Sequence, residues 1–396
     1  MSTDNAFFIF DNNKMSFTII AKTLQGLEPM LAKELHALGA NEIEILKRAV
    51  SFKGDQELLY ASNIYLRTAL KILKPVYRFT AGNEEILYKK VKEFNWTELF
   101  NIDQSFSIES TVYSDIYTHT QFPSLKMKDA IVDRFRDEFG KRPDVDRDHP
   151  DIKFNLHIQQ NYVTISLDSS GATLHKRGYK NLTHEAPMSE VLASGLIMLT
   201  GWDKKELFYD PMCGSGTLPI EAASIANHMA PGLIRSDFGF KTWKDFNPQL
   251  YKQLILQAAS MVKSSPVKII GSDISKRSVE MATIHAGQAK LEKQVAFFVR
   301  DFHESDPPAA KGVMIINPPY GERLKQEQIN EFYKAIGNTL KRKYAGFKVW
   351  VFSSNLEAIK FIGLRPSVKF KLKNGPLDCA FHCFEISEGK YFRNKE

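Results

Sequence analysis

Val313-Met314-Ile315-Ile316-Asn317-Pro318-Pro319-Tyr320 is an apolar run stopped by an Asn and two prolines. The apolar residues read as a buried strand. Proline has no N–H to give to a sheet ladder, so the strand ends at Asn317. A polar side chain is then presented at the carboxyl end of a strand, where open α/β sheets bind ligands. The Asn317 carboxamide oxygen and the Pro318 carbonyl can each accept a hydrogen bond from one amino group. Tyr320 adds a flat ring for a planar group to stack on. The three together suit an amine attached to a planar ring. Taken alone, the stretch is equally a strand that ends in a proline-rich turn, because short motifs recur by chance.

Three further strands point the same way. Glu206-Leu-Phe-Tyr-Asp210-Pro211-Met-Cys213-Gly214-Ser215-Gly216-Thr217 reads as a strand, an acidic strand end and a glycine-rich turn, and Leu218 to Met229 as a helix. The glycines let backbone approach a ligand, and the N–H groups at the helix start favour an anion. The dinucleotide fingerprint wants Gly or Ala at 219, and this chain has Pro219, which disfavours a nicotinamide or flavin site. Val267 to Asp273 is a second strand ending in an acid, and Gln294 to Asp301 a third. A carboxylate at position 273 can accept hydrogen bonds from both hydroxyls of a ribose. Three acids and an Asn-Pro-Pro-Tyr, each closing an apolar strand in this order, are far more specific than any one of them.

This order resembles the class I S-adenosylmethionine-dependent methyltransferases. The extended run Asn317-Pro-Pro-Tyr-Gly-Glu-Arg-Leu324 narrows the likeness. It resembles the large-subunit (23S) ribosomal RNA guanine-N2 methyltransferases that carry an N-terminal THUMP domain. Leu174-His-Lys-Arg-Gly-Tyr179, Ala186-Pro187-Met188 and Leu125-Lys126-Met127-Lys128-Asp129-Ala130-Ile131 match that family as well. The resemblance implies a Rossmann-like α/β domain with a mostly parallel seven-stranded sheet, preceded by ferredoxin-like and THUMP α+β structure. It implies S-adenosylmethionine as cofactor, held by Asp210, Pro211, Cys213, Gly214, Ser215, Gly216, Thr217, Asp273, Ile274, Asp301, Phe302 and Asn317. Asn317, Pro318 and Tyr320 are the expected catalytic group. The partner is RNA, large-subunit ribosomal RNA or its precursor, and no metal is required.

Composition is consistent with this. The 396 residues allow two or three domains. Hydrophobic content of 43% and charged content of 25% belong to a soluble globular chain. No apolar run is long enough to span a membrane, and the N-terminus lacks the basic start of a signal peptide, so the cytoplasm is expected. Cys213, Cys379 and Cys383 form neither a disulfide framework nor a zinc site by spacing. The net charge of +7 favours a polyanionic partner. The first 180 residues balance 24 basic against 24 acidic side chains, so any RNA-binding face there is a local patch. Lys126, Lys128, Arg134 and Arg142 are its candidates, and Arg323 is a candidate beside the catalytic motif.

The expected organisation is a flexible leader over 1–15, a ferredoxin-like β-α-β-β-α-β unit over 16–80, a THUMP unit over 81–168 and the methyltransferase unit over 169–396. Within the first unit the periodicity predicts a helix from Glu57 to Lys71, then a strand from Lys74 to Phe79. Helices over Lys126–Phe139, Met188–Thr200, Phe246–Val262 and Gln326–Tyr344 are predicted further on. Strands at Pro366–Leu372 and Ala380–Ile386 predict one antiparallel strand at the end of the sheet. His119, His149 and His157 are scattered and carry no ligand reading. Asn-Pro-Pro-Tyr serves any planar amine, so adenine N6 in nucleic acid and a protein glutamine are alternative acceptors. A non-catalytic RNA-binding assembly factor is the alternative of another class, and the intact motifs stand against it.

Overall fold

A computed structural model describes residues 16–117, 121–180, 188–319 and 326–388. The expected leader 1–15 lies outside these residues, as do His119, Ala186, Pro187, Tyr320 and Arg323.

The described residues fold around two seven-stranded sheets. The first contains β1 (Phe17–Thr23), β2 (Asn41–Leu46), β3 (Ala49–Gly54), β4 (Ala69–Thr80), β5 (Phe106–Tyr113), β6 (Ile152–Gln159) and β7 (Tyr162–Asp168), in the order β2-β3-β1-β4-β7-β6-β5. Helices α1 (Glu28–Ala37) and α2 (Gln56–Tyr65) complete the ferredoxin-like β-α-β-β-α-β order. Helices α3 (Glu84–Glu93) and α4 (Phe122–Phe139) belong with β5 to β7. The long β4 joins the two halves: Ala69 to Leu73 pair with β1, and Leu73 to Thr80 pair with β7. One ladder therefore runs through both units. Alternation sets the buried face, with Phe154, Leu156 and Ile158 of β6 and Val163, Ile165 and Leu167 of β7 all in the core.

Helix α2 stops at Tyr65, six residues before the predicted end at Lys71. The Glu34 carboxylate on α1 accepts the backbone N–H of Arg67 at 2.7 Å and of Thr68 at 3.0 Å. These N–H groups would otherwise bond back into the helix, so the chain turns and extends into β4. The partner that ends the helix is thirty-odd residues away in sequence, out of reach of a local pattern.

The second sheet runs β10-β9-β8-β11-β12-β14-β13. Its strands are β8 (Leu207–Asp210), β9 (Ile269–Asp273), β10 (Ala296–Val299), β11 (Gly312–Ile316), β12 (Phe347–Ser353), β13 (Val368–Asn374) and β14 (Leu377–Glu385). β14 is antiparallel to both neighbours, and the other pairings are parallel, as predicted. Its hairpin turns at Gly375, whose φ of 60° suits glycine. Helices α5 (Glu190–Leu199), α6 (Thr217–Ala226), α7 (Pro248–Ser260), α8 (Lys276–Gln288) and α9 (Gln326–Lys343) accompany this sheet in sequence.

Packing crosses that sequence boundary in both directions. Ala230, Phe238, Phe240, Trp243, Leu254 and Ala258 lie between α6 and β9, yet their side chains fill the core of the first sheet. Phe240 stacks on Tyr60 of α2 with ring centroids 4.2 Å apart. In return Leu27, at the start of α1, is buried in the core of the second sheet. It needs the absence of a side chain at Gly195, where a Cβ would come 2.5 Å from Leu27 Cδ1. Arg67 donates to Ser224 Oγ at 2.9 Å and to the Met229 carbonyl at 2.6 Å. Arg177, 1% exposed, donates to the carbonyls of Leu174 and Arg67 at 2.7 and 2.6 Å. No described helix is long and apolar enough to cross a membrane.

Candidate active site

The site forms where β8, β9, β10 and β11 end. Each acidic strand end holds the turn that follows it. Asp210 Oδ1 accepts the Met212 N–H at 3.1 Å, and Asp301 Oδ1 accepts the His303 N–H at 2.7 Å. Asp273 does this twice: Oδ1 accepts the N–H of Ser275 and Oδ2 the N–H of Gly214, both at 2.9 Å. The second bond joins β9 to the glycine-rich turn after β8. Cys213 N–H adds a bond to the Ser272 carbonyl at 2.9 Å. Gly216 caps α6 with φ of 84°, and a Cβ there would lie 2.8 Å from the Cβ of Ala282 on α8. The turn is therefore pinned from two neighbouring elements. His285 of α8, fully buried, places Nδ1 3.0 Å from the Ser215 carbonyl.

These turns surround a cavity of about 1180 Å³. Asp210, Pro211, Cys213, Gly214, Ser215, Thr217, Asp273, Ile274, Asp301, Phe302 and Asn317 all line it. Gly216 does not line the cavity; its part is the close packing against α8. Pro318 is buried and leaves Pro319 on the wall. Sequence reasoning missed Met212, Ser275, Arg277, Arg300, His303 and, from α9, Phe332 and Ala335. Those on the turns are near neighbours of the acids. Phe332 and Ala335 had no signal, because an amphipathic helix does not reveal which turn meets a cavity.

Burial governs the electrostatics. Asp210 is 1% exposed, and burial pushes its carboxyl up to about 8 against the pull of the Met212 N–H, with the charge of Asp273 adding to the rise. Burial also holds the Cys213 thiol well above its usual range, so it is a packing group rather than a nucleophile. His303 is lowered by burial, with Nδ1 2.9 Å from Thr339 Oγ1. Among the described residues no cluster of His, Cys, Asp and Glu is arranged to hold a metal ion.

A second hollow, of about 550 Å³, lies along α4. Lys126, Lys128 and Arg142 line it, joined by Arg136 and Arg147, which the sequence reading did not single out. Lys128 pairs with Asp129 at 2.8 Å and Arg136 with Asp133 at 2.9 Å. Arg134 is elsewhere: it pairs with Glu138 one turn on, at 3.1 Å, and does not line the hollow. At about 100° per residue, position 134 falls on the side of α4 opposite Asp129, Val132 and Arg136, which line the hollow, so it faces away from it.

A mostly parallel seven-stranded sheet with one antiparallel strand, a glycine-rich turn after its first strand in chain order and acids closing the next two define a class I methyltransferase. Family models match in three consecutive stretches: an RlmL ferredoxin-like domain over 18–73, a THUMP domain over 81–168, and an RMKL-like methyltransferase domain over 177–382. A Synechocystis sp. protein, provisionally assigned as an RNA methyltransferase, is 38% identical over 368 residues, covering 92% of this chain and 96% of that protein. The crystal structure of SMU.472, provisionally a methyltransferase and complexed with SAH, superposes with a TM-score of 0.85 at 28% identity, covering 95% of this chain and all of that one. A Listeria monocytogenes protein, assigned by prediction as an N6-adenine-specific DNA methylase, gives 0.84 at 30% identity, covering 94% and 97%. The chain belongs to the RMKL-like methyltransferase family.

Proposed function

We propose that this chain methylates the exocyclic N2 amine of a guanine in RNA, with large-subunit ribosomal RNA or its precursor as substrate and S-adenosylmethionine as donor. The observation that carries the reading is Asn317 at the end of β11, on the wall of the same cavity as the glycine-rich turn and the three acids. The cavity fits such a donor. It is large enough for a nucleoside, Asp273 stands at the strand end where an acid takes ribose hydroxyls, and Ile274 and Phe302 offer apolar faces to a purine. Bound there, S-adenosylmethionine supplies an activated methyl on a sulfonium.

The protein's work is positioning and exclusion of water. The Asn317 side-chain oxygen and the Pro318 carbonyl accept the two amine hydrogens. The nitrogen lone pair is thereby turned out of the ring plane, toward the methyl. Tyr320 and Arg323, beside the clamp in sequence, are assigned to stacking on the base and to contact with RNA. A base in a helix must leave its stack to reach the clamp, at a cost of a few kcal/mol. The hollow on α4 supplies phosphate contacts through Lys126, Lys128, Arg142 and Arg147.

The second reading is adenine N6, favoured by the chemistry of Asn-Pro-Pro-Tyr and by what the Listeria relative is assigned to do. The THUMP domain favours RNA over DNA. Mass spectrometry of ribosomal RNA nucleosides from cells lacking the gene decides between the two: loss of N2-methylguanosine supports the proposal, and loss of N6-methyladenosine replaces it.

A further inference from the structure

Asp210 has three properties that the methyl-transfer scheme does not use. It is 1% exposed, it lines the cavity, and among the described residues its one hydrogen bond comes from the Met212 N–H. No Lys, Arg or His among the described residues stands within salt-bridge distance of it. The other charged groups on the cavity wall are Asp273, Asp301, Arg277 and Arg300, with His303 beside them. Of these, Asp273 is the one that acts on Asp210, and it has the same sign. The adjacent Cys213 thiol is neutral, and the neighbouring Tyr209 turns its hydroxyl to Ser272 Oγ, 2.8 Å away. A carboxyl buried without a cation, beside a second carboxylate, favours its neutral form.

The topology places Asp210 at the end of the strand next to the one that carries Asn317. β8 and β11 are adjacent and parallel, with Tyr209 in register with Met314. Asp210 is the next residue on β8, and Asn317 stands three residues beyond Met314 on β11. Neighbouring strands are about 4.8 Å apart. A methyl that reaches an amine held at Asn317 therefore comes from a sulfur at the ends of these two strands. Asp273 and Asp301 close strands further along the sheet.

We infer that Asp210 distinguishes the methylated donor from its spent product by its proton. It is a carboxylic acid before the donor binds, and it ionises when the sulfonium arrives, releasing one proton to solvent. The product keeps the donor's amino-acid ammonium and loses only the charge on sulfur; without that charge beside it the carboxyl takes a proton back from solvent, and product leaves more readily. The inference rests on the proposed donor.

Calorimetric titration of the full chain with S-adenosylmethionine and with S-adenosylhomocysteine tests it, in two buffers of different ionisation enthalpy. The donor's own amine titrates in the same range, and the Asp210→Asn variant, checked for folding by circular dichroism, subtracts that contribution. With the carboxyl near 8, the parent should release roughly 0.9 proton more than the variant on binding the donor at pH 7, and roughly 0.1 at pH 9. On binding the product the two proteins should match. Affinity for the donor, relative to the variant, should rise close to tenfold between pH 6 and pH 7. An infrared difference spectrum of the parent chain gives a second readout: a protonated-carboxyl band should vanish with the donor and persist with the product. Equal proton release by parent and variant, or a band that persists with the donor, overturns the inference. Absence of any binding heat from the donor overturns the proposed donor instead.

Discussion

Asn317 follows directly on the last residue of β11, a strand buried along its whole length. Two prolines behind it would give the proposed clamp its rigidity, since each fixes its own φ. In that scheme Asn317→Ala removes a hydrogen bond that strengthens as the amine nitrogen gains positive charge. The expected result is a fall in single-turnover rate of about two orders of magnitude, with donor affinity changed little by comparison. Asn317→Asp keeps an acceptor and is expected to retain part of the rate. Asp273 has a different task, because it holds the N–H groups of Gly214 and Ser275 as well as facing the cavity. Asp273→Ala should weaken donor binding by about 1.5–3 kcal/mol, measured by calorimetry. At this scale much was legible in the sequence, since an acid or an Asn at the end of an apolar run has few other places to go. The side chains that were missed reach the cavity from a helix or from a turn whose path depends on the fold.

Among the elements, α4 carries the clearest test. Its hollow unites Lys126 with Arg142 and Arg147 from the loop that follows the helix. Replacing any of these three by Ala should lower the slope of log affinity for RNA against log salt by roughly 0.7–0.9, and Arg134→Ala should leave it unchanged. Filter-binding titrations at several salt concentrations measure both. Arg147 was hidden in the sequence because its loop meets α4 only after folding. The end of α2 was hidden for the same kind of reason, since the Glu34 carboxylate that stops it comes from α1. The antiparallel β14 was legible because Asn374-Gly375-Pro376 leaves two apolar strands no room for a crossover.

At the level of the whole molecule, the two sheets share their cores. A chain beginning near residue 170 leaves Phe238, Phe240, Trp243 and Leu254 without the surface they bury against. Such a fragment should aggregate or melt well below the full chain in a thermal scan, so it is a poor probe of RNA affinity. The junction also carries its own acid sensitivity. Burial, with Lys176, Arg177, Lys180 and Arg235 nearby, lowers His175 to about 4 from its ordinary 6.5. In the unfolded chain the ring takes a proton first, so stability is present above about 6.5 and is lost as pH falls toward 4. Melting temperatures measured from pH 7 to pH 4.5 should fall less steeply for His175→Gln than for the parent.

The exchange of Leu27 for Phe240 and Trp243 across the boundary has a consequence for how a target is chosen. Two bodies that each keep part of the other's interior cannot swing freely, so the span from the basic hollow to the Asn317 clamp is held constant. In the proposed scheme such a molecule would work as a ruler. It would select a nucleotide by how far that nucleotide lies from a grip on the phosphate chain, and lengthening or shortening the RNA between the two points should move the mark to a different base.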